Sequence, residues 1–330
     1  MSVNRLSRHV AEFKGAHILV VGDLMLDTYL IGSATRISPE APVPVIKLER
    51  REDKLGGAAN TAVNIATLGG VPILIGAIGR TEAGERFLDL VRRLGFQEEG
   101  LVVHDHILTT RKVRVVAAGQ QIVRVDEEEP LRMPEFLESR LLNAIERFVP
   151  KVDAVAVSDY AKGLVSARVM TALHDISRIH RVPLVIDPKP VNCALYKGCD
   201  LLKPNRKEAS ELAGIPIVDE ESCDYAAMKV LEEYSPRALL VTLGPDGMTL
   251  YRHGAPPARI KTAVSRVYDV SGAGDTVTAV CALGWARKLD PVDSCKLAAV
   301  AASVVVRKPG TSTVSPEELL ESLSDLEEEG

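Results

Sequence analysis

The chain has 330 residues, 46% hydrophobic and 26% charged, which fits one large or two modest soluble globular domains. Its net charge of −5, from 40 basic and 45 acidic residues, leaves no basic excess to neutralise phosphates and argues against a general nucleic-acid or membrane-surface binder. No run of about 18 apolar residues occurs, and the opening MSVNRLSRHVAEFKG has no apolar signal core, so the expectation is a cytoplasmic protein.

The five cysteines form no Cys-x-x-Cys pair, and the seven histidines show no zinc-ligand spacing; reduced thiols are expected. Along the chain, HILVVGD over 17–23 reads as a buried parallel strand with polar residues at its carboxyl end, where open α/β sheets bind ligands. Residues 30–50, with Pro39, Pro42 and Pro44, read as a loop leading into an exposed strand. The alternating runs 112–116 and 121–125, joined by Ala118-Gly119, predict a hairpin. These pieces suit a small β-sheet flap, with lid strands at about 30–50 and 111–126, inserted in a single domain spanning 1–330.

The remainder alternates strand and helix. Helices are predicted over 57–68, 82–94, 134–148, 166–180, 273–288, 292–306 and 316–327. Strands are predicted over 73–78, 154–158, 184–187, 200–203, 238–243 and 248–252. Ser315-Pro316-Glu317-Glu318 has the form of a capping box.

Four stretches could carry chemistry. In Asp269-Val-Ser-Gly-Ala-Gly-Asp275, small residues open a long apolar helix, whose free amides and positive end suit a phosphate. Asp275 in the first turn could take a proton from an attacking hydroxyl; it could equally be a simple helix cap. Gly56-Gly57-Ala58-Ala59-Asn60 opens another helix, with Asn60 and Asn64 on one face, suited to sugar hydroxyls or to close packing. In Lys203-Pro-Asn205-Arg-Lys-Glu208, Asn205 caps the next helix, and Glu208 either completes the cap or helps hold hydrated Mg²⁺. Thr242-Leu-Gly244-Pro-Asp-Gly could run beside nucleotide phosphates or form a plain turn. There is no Walker-type Gly-x-x-x-x-Gly-Lys-Ser/Thr, and no Gly-x-Gly-x-x-Gly follows the first strand.

Together and in this order, these motifs resemble the signatures of the ribokinase-like carbohydrate kinases over nearly the whole chain. More narrowly, Val21-Gly-Asp-Leu-Met-Leu-Asp27-Thr-Tyr, the Thr35–Val45 stretch and Ser158-Asp-Tyr-Ala-Lys-Gly163 resemble the D-glycero-β-D-manno-heptose-7-phosphate kinases. The resemblance implies an α/β fold with a doubly wound, mostly parallel sheet, helices on both faces and a small lid. It implies ATP-dependent phosphorylation of the anomeric hydroxyl of heptose 7-phosphate on the way to ADP-heptose for lipopolysaccharide.

By that resemblance Asp275 is the base and Gly272, Ala273 and Gly274 are the anion hole. Asp27, Gly56, Gly57 and Asn60, joined by Asp23, hold the sugar. Asn205 and Glu208 hold Mg²⁺ waters and phosphate, and Thr242 and Gly244 neighbour the nucleotide. Asp269 and Val270, with the 307–312 loop, resemble a K⁺ site. Candidate cations for the substrate's own phosphate are Arg36, Lys112, Arg114, Arg124 and Lys162. The resemblance also implies a homodimer through the lid strands. Because the kinase helices are followed closely by Glu327-Glu-Glu-Gly, it implies a separate adenylyltransferase. The rivals are another ribokinase-like sugar kinase, or a non-catalytic regulator on the same fold.

Overall fold

The computed structural model describes residues 3–131, 133–261 and 267–328; the final Glu329 and Gly330 lie outside that range. After helix α1 (Val3–Glu12), strand β1 (His17–Gly22) leads into two long strands, β2 (Leu24–Ile37) and β3 (Pro44–Gly57). Then come α2 (Ala58–Thr67), β4 (Val71–Gly79), α3 (Glu82–Arg93), β5 (Leu101–His104), β6 (Thr110–Ala117) and β7 (Gln120–Glu127). The middle of the chain supplies α4 (Glu135–Phe148), β8 (Ala154–Ser158), α5 (Ala167–His180), β9 (Leu184–Asp187), β10 (Leu201–Leu202), α6 (Arg206–Ala213) and α7 (Glu220–Tyr234). Finally β11 (Ala238–Thr242), β12 (Met248–Arg252) and β13 (Ala255–Ile260) precede α8 (Ala273–Ala286), α9 (Pro291–Val305) and α10 (Pro316–Glu328).

Nine strands form the main sheet in the order β13-β12-β11-β10-β9-β8-β1-β4-β5. It is parallel from β5 through β11, with β12 and β13 added antiparallel at one edge. The run Ile18-Leu-Val-Val is wholly buried because both faces are covered. Ile18 and Val20 face the core shared with α2, α8 and α9, while Leu19 and Val21 face the core of α4, α5 and α7. Helices therefore cover both faces, as the sequence predicts.

Side-chain caps set several helix starts. Thr81 accepts from the Gly84 N–H at the start of α3, and Ser166 from Val169 at the start of α5. At α10 the predicted box is present: Ser315 Oγ accepts from Glu318 N, and the Glu318 carboxylate accepts from Ser315 N.

The lid is a separate four-stranded sheet, β3-β2-β6-β7. It is larger than the spacing of residues 30–50 suggests. The chain switches sheets at Asp23, so β2 starts at Leu24, ahead of the residues 30–50 where the lid strand is expected. The predicted loop across the prolines shrinks to 38–43, closed by the Ser38 N–H to Val43 carbonyl bond of 2.9 Å. Pro44 is tolerated because β3 is an edge strand. The β6–β7 hairpin turns at Ala118 and Gly119, φ 50° and 76°, as a tight hairpin turn requires. All five cysteines are free thiols, four of them buried. Among the described residues no helix is long and apolar enough to cross a membrane.

Candidate active site

Helices α2 and α8 begin side by side at the carboxyl end of the sheet, and Asp275 lies between them, 4% exposed. Asn60 Nδ2 donates to Asp275 Oδ2 at 2.7 Å, and the Tyr160 hydroxyl donates to Oδ1 at 2.8 Å. Behind them, Thr276 Oγ1 donates to Asn64 Oδ1 at 2.8 Å, and Asn64 Nδ2 returns to the Asn60 carbonyl at 2.9 Å. Burial pushes the Asp275 carboxyl up to about 6, against the hydrogen bonds from Asn60 and Tyr160 that favour its charged form. A carboxylate so held is suited to accept a proton near neutral pH.

Two glycines permit this approach. Gly57, φ 60° and ψ −139°, begins α2 in a conformation that L side chains avoid, and a Cβ there would lie 2.4 Å from the Asp23 carbonyl. Gly272, φ 81°, caps α8, and a Cβ would lie 2.8 Å from Asn60 Nδ2. The first-turn amides of α8 open into a cleft of about 1100 Å³ bordered by Gly272, Ala273, Gly274 and Asp275.

The far wall of that cleft holds the other motifs. Asn205 caps α6, and Glu208 completes the box: Glu208 N to Asn205 Oδ1 is 3.0 Å, and Asn205 N to Glu208 Oε2 is 2.9 Å. Glu208 also pairs with Lys189. The capping reading of this motif thus holds, and the same carboxylate borders the cleft. Thr242 N donates to the Pro204 carbonyl at 3.0 Å, which sets Thr242 beside Asn205; Gly244 follows at φ 65°. Asp187 and Lys203, at the ends of β9 and β10, pair at 3.0 Å near Gly274.

Under the lid, Arg114 Nη1 donates to buried Asp27 at 2.6 Å. A Cβ on Gly56 would come within 2.6 Å of Asp27 Oδ2, so Gly56 and Asp27 line one surface. The Lys112 ammonium stands 5.6 Å from the Tyr160 ring centroid and has no ion-pair partner among the described residues; burial holds it below its ordinary range. Other sequence candidates are spent or remote. Arg124 pairs with Asp126 at 2.9 Å, Lys162 with Glu128 at 2.7 Å, and Arg36 is exposed near the lid tip. Asp23 braces the loop after β8: its carboxylate accepts the backbone N–H groups of Tyr160, Lys162 and Leu164 at 2.9–3.1 Å.

Asp269 braces the proposed cation loop, accepting from Ser271 N at 2.8 Å and Gly310 N at 3.0 Å; Val270 lines the cleft. The sequence reading missed Tyr160, Asp187, Lys189, Lys203 and Lys54. The first four sit at or just beyond carboxyl ends of parallel strands, which was the available signal. Lys54 donates to the Thr311 carbonyl at 2.8 Å, a contact across the fold that sequence does not announce. A second cleft, about 1150 Å³, opens at the amino ends of β9 and β11 and contains none of the predicted residues.

The model of the pfkB family of carbohydrate kinases matches residues 16–318. The chain belongs to that family. The kinase is 39% identical over 316 residues to the bifunctional protein HldE of Desulfatibacillum aliphaticivorans, covering 96% of this chain and 65% of that protein. It is 41% identical over 317 residues to HldE of Caulobacter sp. (strain K31), covering 96% and 64%. The kinase chain thus spans less than two thirds of the length of these relatives. Its fold is shared with phosphofructokinase-2 of Escherichia coli in complex with potassium (TM-score 0.76, 19% identity, 95% and 99% covered). It is shared also with Arabidopsis thaliana ribokinase complexed with ribose and ATP (TM-score 0.71, 21% identity, 94% and 99% covered). The expected ribokinase-like architecture and the kinase class both stand.

Proposed function

We propose that this kinase transfers the γ-phosphoryl group of ATP to the anomeric C1 hydroxyl of D-glycero-β-D-manno-heptose 7-phosphate, giving the 1,7-bisphosphate used for ADP-heptose. The observation that carries the reading is Asp275, buried at the open end of α8 with Asn60 on one oxygen. The sugar lies between the lid and Asp275, held by Asp27, Gly56, Gly57 and Asn60. Asp275 accepts the hydroxyl proton while the Gly272–Gly274 amides stabilise the charge on the transferring group. Lys112 and Arg114 supply positive charge under the lid for the substrate's own phosphate.

ATP occupies the cleft beside Asn205, Thr242 and Gly244. Magnesium, when bound, neutralises charge on its phosphates; the oxygen donors of Glu208 and Asn205 suit its water shell. A potassium site is proposed where Asp269 ties Val270 and Ser271 to the 307–312 loop. The identity with HldE proteins supports the heptose substrate, and the exposed apolar side chains of β7 support pairing of lids in a homodimer. A cytoplasmic location completes the proposal.

The test is ATP consumption with a panel of sugar phosphates, beside Asp275→Asn. Turnover with the heptose 7-phosphate that is lost in the variant supports substrate and base. Turnover confined to another sugar keeps the kinase and removes the heptose. ATP binding with no turnover on any sugar favours a regulator.

A further inference from the structure

Two side chains on Asp275 are not used by the transfer chemistry, both on Oδ1: Thr61 Oγ1, a weak donor at 3.4 Å, and the much closer Tyr160. Its hydroxyl donates to Oδ1 at 2.8 Å, while Asn60 takes Oδ2. The loop that presents it is tightly braced. Asp23 accepts three of the loop's backbone N–H groups, and Asp159 accepts from Ala161 N at 2.6 Å and from Asn192 Nδ2 at 2.7 Å. Ala161 sits at φ 56°, a left-handed conformation unusual for alanine and held by these contacts. The Tyr160 ring also lies 5.6 Å from Lys112 of the lid and 5.7 Å from Lys189 of the nucleotide cleft. It therefore stands where the two substrate spaces meet, with a hydroxyl on the base.

We propose that Tyr160 is a positioning residue that guards Asp275: its hydroxyl holds Oδ1 in the empty enzyme and yields that oxygen to the acceptor hydroxyl of the sugar. Until a sugar arrives, the base cannot turn on water, so ATP is spared. The inference rests on Asp275 being the base. It also gives buried Asp23 a task, which is to hold the loop that delivers Tyr160.

The test is Tyr160→Phe, with Mg-ATP alone and with heptose 7-phosphate. ATP hydrolysis without sugar should rise at least about tenfold, since water gains the base. The acid limb of kcat/KM, which reports the free enzyme, should move up by about one pH unit, because a donor to the carboxylate is lost. The acid limb of kcat should stay in place, because in the sugar complex the tyrosine has already left. Difluorotyrosine at 160, a stronger donor, should move the kcat/KM limb down, which keeps the test alive if the phenylalanine variant folds poorly. Unchanged ATP-only hydrolysis and unmoved limbs in both variants overturn the guard. Equal movement of both limbs overturns the displacement. Turnover retained in Asp275→Asn overturns base and guard together; a dead Asp275→Asn beside an unchanged Tyr160→Phe overturns the guard alone.

Discussion

Asn60 and Asp275 are 215 positions apart, yet the Asn60 amide donates to the Asp275 carboxylate at 2.7 Å. Each lies in the first turn of its helix, so the bond joins two helix N-termini at one point. Both positive helix ends and the amide favour the charged carboxylate, while burial opposes it. The balance leaves Asp275 at about 6.

That value sets the pH dependence of both rate and stability. Asp275 works deprotonated, so kcat/KM should fall as pH drops through about 6. In Asn60→Ala the limb should move to higher pH, because a donor to the charged form is gone. A limb that stays put would belong to the sugar phosphate, not to Asp275.

Stability runs the other way. The folded value, about 6, lies above the ordinary 3.8, so the native state binds the proton more tightly than the unfolded chain. The stabilisation from that proton is complete below about pH 4 and is lost as pH rises through 6. Asp275→Asn removes the buried charge. At pH 8 it should be more stable than the parent by on the order of 1–3 kcal/mol, with the gap closing toward pH 4. Urea unfolding at both pH values measures this. A variant that is less stable at pH 8 would mean that the neighbouring dipoles fully compensate the charge.

Gly272→Ala should cost both stability and turnover. The residue must keep φ near 81°, and the new methyl would press to 2.8 Å from Asn60 Nδ2. Strain of this kind costs about 1–3 kcal/mol. Displacing Asn60 should also raise the kcat/KM limb as Asn60→Ala does. Thermal unfolding and a pH profile of the same variant separate the two effects.

Sequence reading was strongest where local chemistry decides structure. The short runs at Ala154–Ser158, Leu184–Asp187 and Met248–Arg252 are strands with the bounds that the sequence predicts. It was weakest where tertiary packing decides. α1, α7, β5 and β13 were not predicted: β5 has four residues, and β13 (APPARI) carries two prolines tolerated only at a sheet edge. The α7 cap uses Ser222 where the usual signature has Glu or Gln. Within the site, the small-residue openings of α2 and α8 were legible, because close backbone approach demands them. The partners were not. The motif at 158–163 shows a tyrosine, and only the fold sets its hydroxyl on Asp275. Asp23 reads as a ligand at a strand end, and nothing in the sequence shows that three loop amides also donate to its carboxylate.

The apolar side chains of β7 bear on assembly. Val123 and Val125 are 48% and 49% exposed and share one face of the lid. If lids pair through this face, Val123→Glu with Val125→Glu should halve the mass in sedimentation equilibrium and raise the sugar KM. An unchanged mass would move the interface elsewhere or leave the protein monomeric.

The lid cations can be ranked by what already occupies them. Arg124 and Lys162 already have carboxylate partners, and Arg36 is exposed near the lid tip, so their removal should change the KM for heptose 7-phosphate less than about twofold. Arg114 is different, since its loss strands buried Asp27; Arg114→Met should cost about 3–5 kcal/mol of stability as well as affinity. Lys112 is the discriminating case. Among the described residues it has no ion-pair partner; it is partly desolvated and lies under the lid beside Tyr160. A phosphate there would be met by an ammonium whose attraction is not already spent. Lys112→Met should therefore raise the sugar-phosphate KM at least about tenfold while leaving the KM for ATP within about twofold and the melting temperature nearly unchanged. If the KM for ATP rises instead, Lys112 serves the nucleotide, and the sugar phosphate must be held elsewhere under the lid.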